Sequence, residues 1–599
     1  MRILLFFVLL QNFAYAQQIT IQNSKNRQIT HLNGDWNYII DPYETGYYSF
    51  HLDEYDKKSD FQMGAFFNNY HSANKNNLIE YDFDKSPKMR IPNDWNTQDE
   101  KLFYYEGTVW FKKSFDYTLA KHKRLFLNFA AVNYQADVYL NGKKLGTHVG
   151  GFTSFSFEIS TVIKEKDNYL VVKVDNKRLK DAVPTTNTDW WNYGGITREV
   201  SLMEVADAFI EDYSIQLDKK NNTTIAGYIK VNTPTTGQPI SISIPALKKI
   251  ITDTLGPTGI LNFSIHTGMG DIQYWSPKNP KLYEIIIDYN GETIKDRIGF
   301  RTIETNAATI LLNGAPIFLK GISIHEENAT GGRGKTIEDA KRLLSWAKEL
   351  GCNYVRLAHY PHNENTIRLA DELGLLVWEE IPVYWTINFK NPATYHNAEN
   401  QLNEMIDRDK NRASVIIWSM ANETPLSDER TFFIKNLIKY TKSKDSTRLI
   451  SAALLTQYSN GVNSINDPLG EDLDLIAFNQ YLGWYGGNLE DAETIKWTSK
   501  YNKPLIVSEF GGDAKQGLHG DKKERWTEEY QAYLYIQNLK MINKMPHLAG
   551  LSPWILVDFR SPRRLLPGIQ DGYNRKGLIS NKGIKKKAFW VLNKYYLKK

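Results

Sequence analysis

At 599 residues the chain exceeds one ordinary domain, and 42% apolar with 24% charged residues describes a folded globular protein and excludes a disordered one. A formal net charge of +5 over that length gives no case for nucleic acid or a membrane surface as partner. The single cysteine, Cys352, rules out an intrachain disulfide; between a helical pattern and a strand it reads as a small buried apolar residue.

The N-terminus has a charged start (Arg2), an apolar run from Ile3 to Leu10 and Ala14-Tyr15-Ala16 before Gln17. That is the layout of a secretory signal over residues 1–16. The run is too short for a permanent membrane anchor, and no cysteine follows the cleavage site to carry a lipid. The expectation is an exported protein, in the periplasm or outside the cell.

Residues 17–205 read as short strands and turns with almost no helical periodicity. Arg124–Phe129 alternates apolar with polar, and Asp137–Lys143 runs a strand into an Asn141-Gly142 turn, a strong hairpin signal. The expectation is a β-sandwich of jelly-roll type. Residues 206–305 continue in short strands punctuated by Pro234, Pro239, Pro245 and Pro257, and suit a smaller immunoglobulin-like sandwich. It holds nothing that looks chemical and reads as a spacer.

From residue 306 to 599 strands alternate with helices, which calls for a parallel sheet. Ile317–Ile322, Tyr354–Leu357, Leu375–Trp378, Val415–Trp418, Leu449–Ala453, Leu473–Phe478, Pro504–Ser508 and Ala549–Leu556 supply eight strands, the count and length of a (β/α)₈ barrel. Thr336 with Asp339 opens a helix whose Ile337, Ala340, Leu343, Leu344 and Ala347 share one apolar face. Lys585-Lys586-Lys587 near the end reads as a solvated charge run.

Strand after strand ends in polar or aromatic residues: His325-Glu326, His359, Glu379-Glu380, Asn422-Glu423, Asn479-Gln480-Tyr481, Glu509 and, on the eighth strand, Trp554. A lone carboxylate at a strand end is ordinarily structural. Several at the C-terminal rim of one barrel point to an active site. Carboxylates on strands four and seven are what glycoside hydrolysis requires, one to protonate the leaving oxygen and one to attack or to activate water; their separation decides between retention and inversion.

Residues 17 to 599 resemble family 2 of the glycoside hydrolases, the β-galactosidase and β-glucuronidase group. The resemblance rests on the domain order and on Asn192–Arg198, Gly321–Glu326, Val355–Pro361, Asn422-Glu423 and Ser508-Glu509-Phe510-Gly511. It implies a retaining mechanism with Glu509 as nucleophile and Glu423 as acid/base. It further implies that Asn422 bonds the sugar 2-hydroxyl, that Tyr481 orients the nucleophile, and that His325, His359 and Trp554 belong to the substrate site. Asn574-Arg575-Lys576 resembles the Asn-x-Lys motif with which β-glucuronidases of the family hold the sugar carboxylate. A neutral sugar is expected to leave Lys576 unpaired in a partly dry pocket. Glu158 stands where a loop of the first domain usually carries an aspartate that reaches the active site, and so is a further candidate sugar contact. The segment Arg560–Arg564 departs from the best-known β-glucuronidases and adds positive charge near the mouth.

The expectation is an exo-acting β-glucuronidase on oligosaccharides of an acidic plant or algal polysaccharide, with no metal and no cofactor. The alternatives are a β-galactosidase or other neutral-sugar hydrolase and, from another class, a silent carbohydrate-binding protein. Aglycone and oligomeric state stay open.

Overall fold

A computed structural model describes residues 18–599 except 58–63, 72–73, 75, 77–80, 235–236, 329–331, 335 and 460–461. The secretory signal expected over residues 1–16 lies outside the described residues.

The first unit is a sandwich of a five-stranded and a six-stranded sheet, all of whose pairings are antiparallel. Leu125, Leu127, Phe129, Val172 and Val174 are buried between them because alternate residues of each strand face inward. The Asn141-Gly142 signal makes the expected hairpin between Gln135–Leu140 and Lys143–Val149, with both turn residues at positive φ (54° and 80°). The second unit packs a three-stranded sheet against a four-stranded one around Ile215, Ile229, Ile242 and Ile287. It is braced on the barrel by Lys410, whose Nζ lies 2.7 Å from Asp212, and by Arg412 on the buried Asp296.

In the third unit the parallel strands run in spatial order from Leu319–Lys320 through Leu548–Leu551, Leu505–Glu509, Ile476–Asn479, Leu449–Leu454, Val415–Asn422, Leu376–Glu380 and Tyr354–Leu357 to Ser323–Ile324. The two end segments are halves of one strand, so the sheet closes on itself as an eight-stranded barrel. The first strand breaks at Gly321, where a Cβ would lie 2.2 Å from the Tyr354 ring. Gly321 N donates to Leu551 O (2.8 Å) and Arg356 N to Ile322 O (3.0 Å), so each half pairs with a different neighbour.

The helices are α1 (Ile337–Glu349), α2 (Glu364–Leu373), α3 (Pro392–Asp409), α4 (Asp428–Lys444), α5 (Glu528–Ile542) and α6 (Lys587–Lys598). Thr336 and Asp339 close the capping box that starts α1. The segments after the fifth and sixth strands contribute a small sheet instead of regular barrel helices: Gln457–Ser459 and Val462–Ile465 follow the fifth, and Lys496–Ser499 follows the sixth.

The charge run at the C-terminus is not a solvated face throughout. Lys586 is fully buried, and its ammonium donates to Asp558 Oδ1 (2.7 Å), Ala514 O (2.7 Å) and Arg575 O (2.8 Å). All three of its donors are used, which is what makes its burial tolerable.

Candidate active site

Every residue of the fourth strand is buried, so its side chains have no freedom until the chain leaves the sheet. It leaves through a register shift between Ser419 and Asn422. Glu423 then sits at φ +49°, a conformation costly for a non-glycine residue, and is held there by its N–H to Ala453 O (2.8 Å). The kink turns Glu423 out of the strand and into a cavity of about 290 Å³ at the C-terminal mouth, which Glu509 at the end of the seventh strand also lines.

The two carboxyl groups have different partners. Glu509 is 4% exposed; its Oε1 accepts from Arg356 Nη1 (2.7 Å) and its Oε2 from the Tyr481 hydroxyl (2.6 Å). Among the described residues Glu423 accepts from neutral donors only, Trp385 Nε1 (2.8 Å) and Asn479 Nδ2 (3.0 Å). Removal from water, reinforced by the charge of Glu509, pushes the Glu423 carboxyl up to about 7, and the two neutral hydrogen bonds do not offset it. A pair with one carboxyl poised to give a proton near neutral pH and the other held by a guanidinium can divide the roles of acid and nucleophile.

Arg356 is the hub. Its guanidinium also donates to Glu380 Oε2 (3.0 Å), Glu380 Oε1 (2.9 Å) and Asn422 Oδ1 (2.8 Å). Burial opposes the charge of Glu380, but Arg356 and His359 hold its carboxyl down to about 2. A carboxylate only accepts, so His359 Nδ1, 2.7 Å from Glu380, carries the proton; its Nε2 is 3.8 Å from Glu509 on the cavity side. Asn422 gives its Oδ1 to Arg356 and Asn479, while its buried Nδ2 has no partner among the described residues and is free to meet a ligand hydroxyl.

Glu423, Glu509, Tyr481, His359, Trp554, Asn574 and Lys576 line one cavity, and Asn422 adjoins it. His325 does not reach it: the ring packs 4.2 Å from Phe559 and edge-on to Trp554, with Nδ1 3.1 Å from the Tyr360 hydroxyl. Burial, and then the neighbouring histidines and arginines, lower its basicity far below the usual value. Glu158 does not reach it either. It lies on the five-stranded sheet of the sandwich, where both oxygens accept from Arg124 (2.8 and 2.5 Å).

The acidic residue that the first unit does contribute is Asp189, just ahead of the Asn192–Arg198 segment, and nothing in the local sequence marks it. It accepts from Arg564 Nε (3.1 Å), Ser561 Oγ (2.6 Å) and Asn574 Nδ2 (3.2 Å). Lys576, expected to be unpaired in the absence of an acidic sugar, already lies 2.7 Å from the buried Asp513 and 3.0 Å from the Tyr485 hydroxyl. Burial works against both charges, yet Asp513 holds the Lys576 ammonium above its usual range and Lys576 holds Asp513 below its own.

Residues 29–206 match the family model for the sugar binding domain of glycosyl hydrolases family 2, and residues 303–572 that for its TIM barrel domain. The chain is 28% identical over 559 residues to a β-glucuronidase of Streptococcus agalactiae, covering 82% of this chain and 89% of that one. It is 26% identical to the β-glucuronidase of Homo sapiens, over 85% of each. Among solved structures, a β-glucuronidase of an uncultured Clostridium superposes with a TM-score of 0.81 at 26% identity, over 98% of this chain and all of that one. The sandwich, the barrel, the paired carboxyl groups at its mouth and these matches lead to one conclusion: the chain belongs to family 2 of the glycoside hydrolases and is a glycosidase.

Proposed function

We propose that the protein is an exo-acting, retaining β-glucuronidase that removes a terminal β-linked glucuronic acid from oligosaccharides of an acidic plant or algal polysaccharide. The observation that carries the chemistry is the unequal pair: a Glu423 carboxyl raised to about 7 beside a Glu509 held by Arg356 and Tyr481. Glu509 attacks the anomeric carbon as Glu423 protonates the leaving oxygen. Once Glu509 is esterified its charge is gone, the Glu423 carboxyl becomes more acidic, and as a base it takes the proton of the incoming water. Asn422 Nδ2 meets the 2-hydroxyl.

For the uronic acid, the Lys576 ammonium donates to Tyr485 and stands at ion-pair distance from Asp513, and of its three N–H donors one remains for a ligand carboxylate. The three similar proteins named above are all β-glucuronidases, which supports the same sugar. A cavity of about 290 Å³ is small for a ligand site and suits a chain end. Export rests on residues 1–16; among the described residues no helix is long and apolar enough to cross a membrane.

A second reading, a neutral-sugar β-glycosidase, is favoured by the Lys576–Asp513 pair itself, since a neutral sugar leaves no lone cation there. The test is hydrolysis of paired aryl β-glucuronides and β-galactosides by the mature protein and by Lys576→Ala. The uronide reading expects the glucuronide to be preferred and the ratio of the two rates to collapse in the variant. A preferred galactoside, or a ratio indifferent to Lys576, overturns it. Loss of turnover in Glu423→Gln and Glu509→Gln tests the chemistry separately.

A further inference from the structure

The cations of the cavity are not equivalent. Arg356 is paired with Glu380 and Glu509, Lys576 with Asp513, and Arg564 with Asp189. Arg563 also lines the cavity, but among the described residues no carboxylate lies within ion-pair distance of it. Its exposed guanidinium is held by the Asn187 side-chain oxygen from the first unit and lies 5.1 Å above the Trp385 ring. Trp385 in turn donates to Glu423. The group that protonates the leaving oxygen faces the leaving group, so the residue stacked beyond Trp385 stands on that side of the cavity.

We propose that Arg563 is a specificity residue for the leaving group, binding a carboxylate or sulfate carried by the sugar next to the scissile bond. The inference rests on the uronide reading above and adds the adjoining unit: an acidic sugar linked to an anionic sugar. A guanidinium offers five N–H donors in a planar fork matched to such anions, and Asn187 takes one. The amide and the indole face hold the fork in place before the ligand arrives, so little ordering remains for binding to impose.

The test uses the full mature protein, Arg563→Gln and Arg563→Lys, and three aryl β-glucuronides whose phenols are neutral, carboxylated or sulfated. Arg563→Gln is expected to lower kcat/KM on the charged aglycones by about three- to fivefold, the weight of one exposed pair, and to leave the neutral one within about twofold. Arg563→Lys restores part of the difference, and added salt erodes it in the unmodified protein. A response to only one of the charged phenols also supports the proposal and identifies the anion. An equal loss on all three substrates, or no loss on any, overturns it. If the unmodified protein cleaves no glucuronide, the uronide reading falls by itself; β-galactosides of the same three phenols then test Arg563 by the same ratios.

Discussion

At the scale of single residues, the role of acid proposed for Glu423 ties the pH response of the enzyme to what surrounds that carboxyl. The group must carry a proton to act as acid, and its carboxyl sits at about 7, so kcat/KM should decline as pH rises through that value. Trp385 donates to the charged form. Trp385→Phe therefore moves this limb to higher pH, whereas a Trp385 without influence on Glu423 leaves the limb in place. Glu509→Gln removes a negative neighbour and should lower the Glu423 titration, which difference infrared spectroscopy reads without turnover. Lys576 makes a different kind of prediction. Its removal takes the cation from Asp513, whose side chain is fully buried and keeps the Gln570 amide and the Arg575 N–H as donors, and breaking such a pair costs about 3–5 kcal/mol. Lys576→Ala should therefore lower the melting temperature along with the sugar preference, and Lys576→Met with Asp513→Asn should regain much of the stability but not the preference. Glu423 and Glu509 are legible in the sequence because each carboxylate ends an apolar strand, where burying a charge is costly unless a partner or a reaction requires it. Asp513 and Asp189 are not, since what marks them is a cation 63 or 375 positions away, and no local pattern encodes such a pairing.

At the scale of elements, the strand count is readable from apolar runs, since strands covered on both faces need no alternation. The break at Gly321 is not, because it answers to the Tyr354 ring on the neighbouring strand, more than thirty positions on in the chain. The loops after strands seven and eight show the same dependence on distant partners. Ala514 follows Asp513 and Arg575 precedes Lys576, and the Lys586 ammonium holds the carbonyls of both. One lysine at the start of α6 thus fixes the two loops that carry the Lys576–Asp513 pair. Lys586→Met leaves Asp558 buried with, among the described residues, Arg575 at 3.5 Å as its remaining cation. The expected result is a lower melting temperature and a KM for glucuronides that rises more than kcat falls, with partial recovery in Lys586→Arg. Equal changes in KM for glucuronide and galactoside would show that Lys586 supports the fold and not the sugar site. The charge run looks solvated in sequence because burial of a lysine depends on acceptors that only the folded loops supply.

At the scale of the whole molecule, the site belongs to two units, and the seam between them governs whether it exists. The Asn192–Arg198 segment does the joining. Arg198 of the sandwich, 2% exposed, donates to Phe152 O (2.6 Å), to Pro361 O (2.8 Å) and to Glu326 Oε2 (3.0 Å) of the barrel. Beside it Glu327 accepts from Tyr193 of the sandwich and from Arg560 N of the loop that leads to Arg563. Arg198→Met removes one partner of a buried ion pair, at a cost of about 3–5 kcal/mol to docking. Because Asp189 and Asn187 come with the sandwich, kcat/KM should fall with the melting temperature although no group that touches substrate has changed. A variant that melts early with undiminished kcat/KM would show that the seam is not needed to complete the site. Glu327 adds a pH dependence. Burial pushes its carboxyl up to about 7, above the roughly 4.5 expected when unfolded, so folding favours the protonated form. The contribution is complete below about 4.5 and lost as pH rises through about 7. Glu423 has the same sign and window, so the melting temperature should drop between pH 5 and 8, and Glu327→Gln and Glu423→Gln should each flatten part of that slope. A flat profile in the unmodified protein would mean that neither carboxyl is as far from water as the seam and the cavity place it.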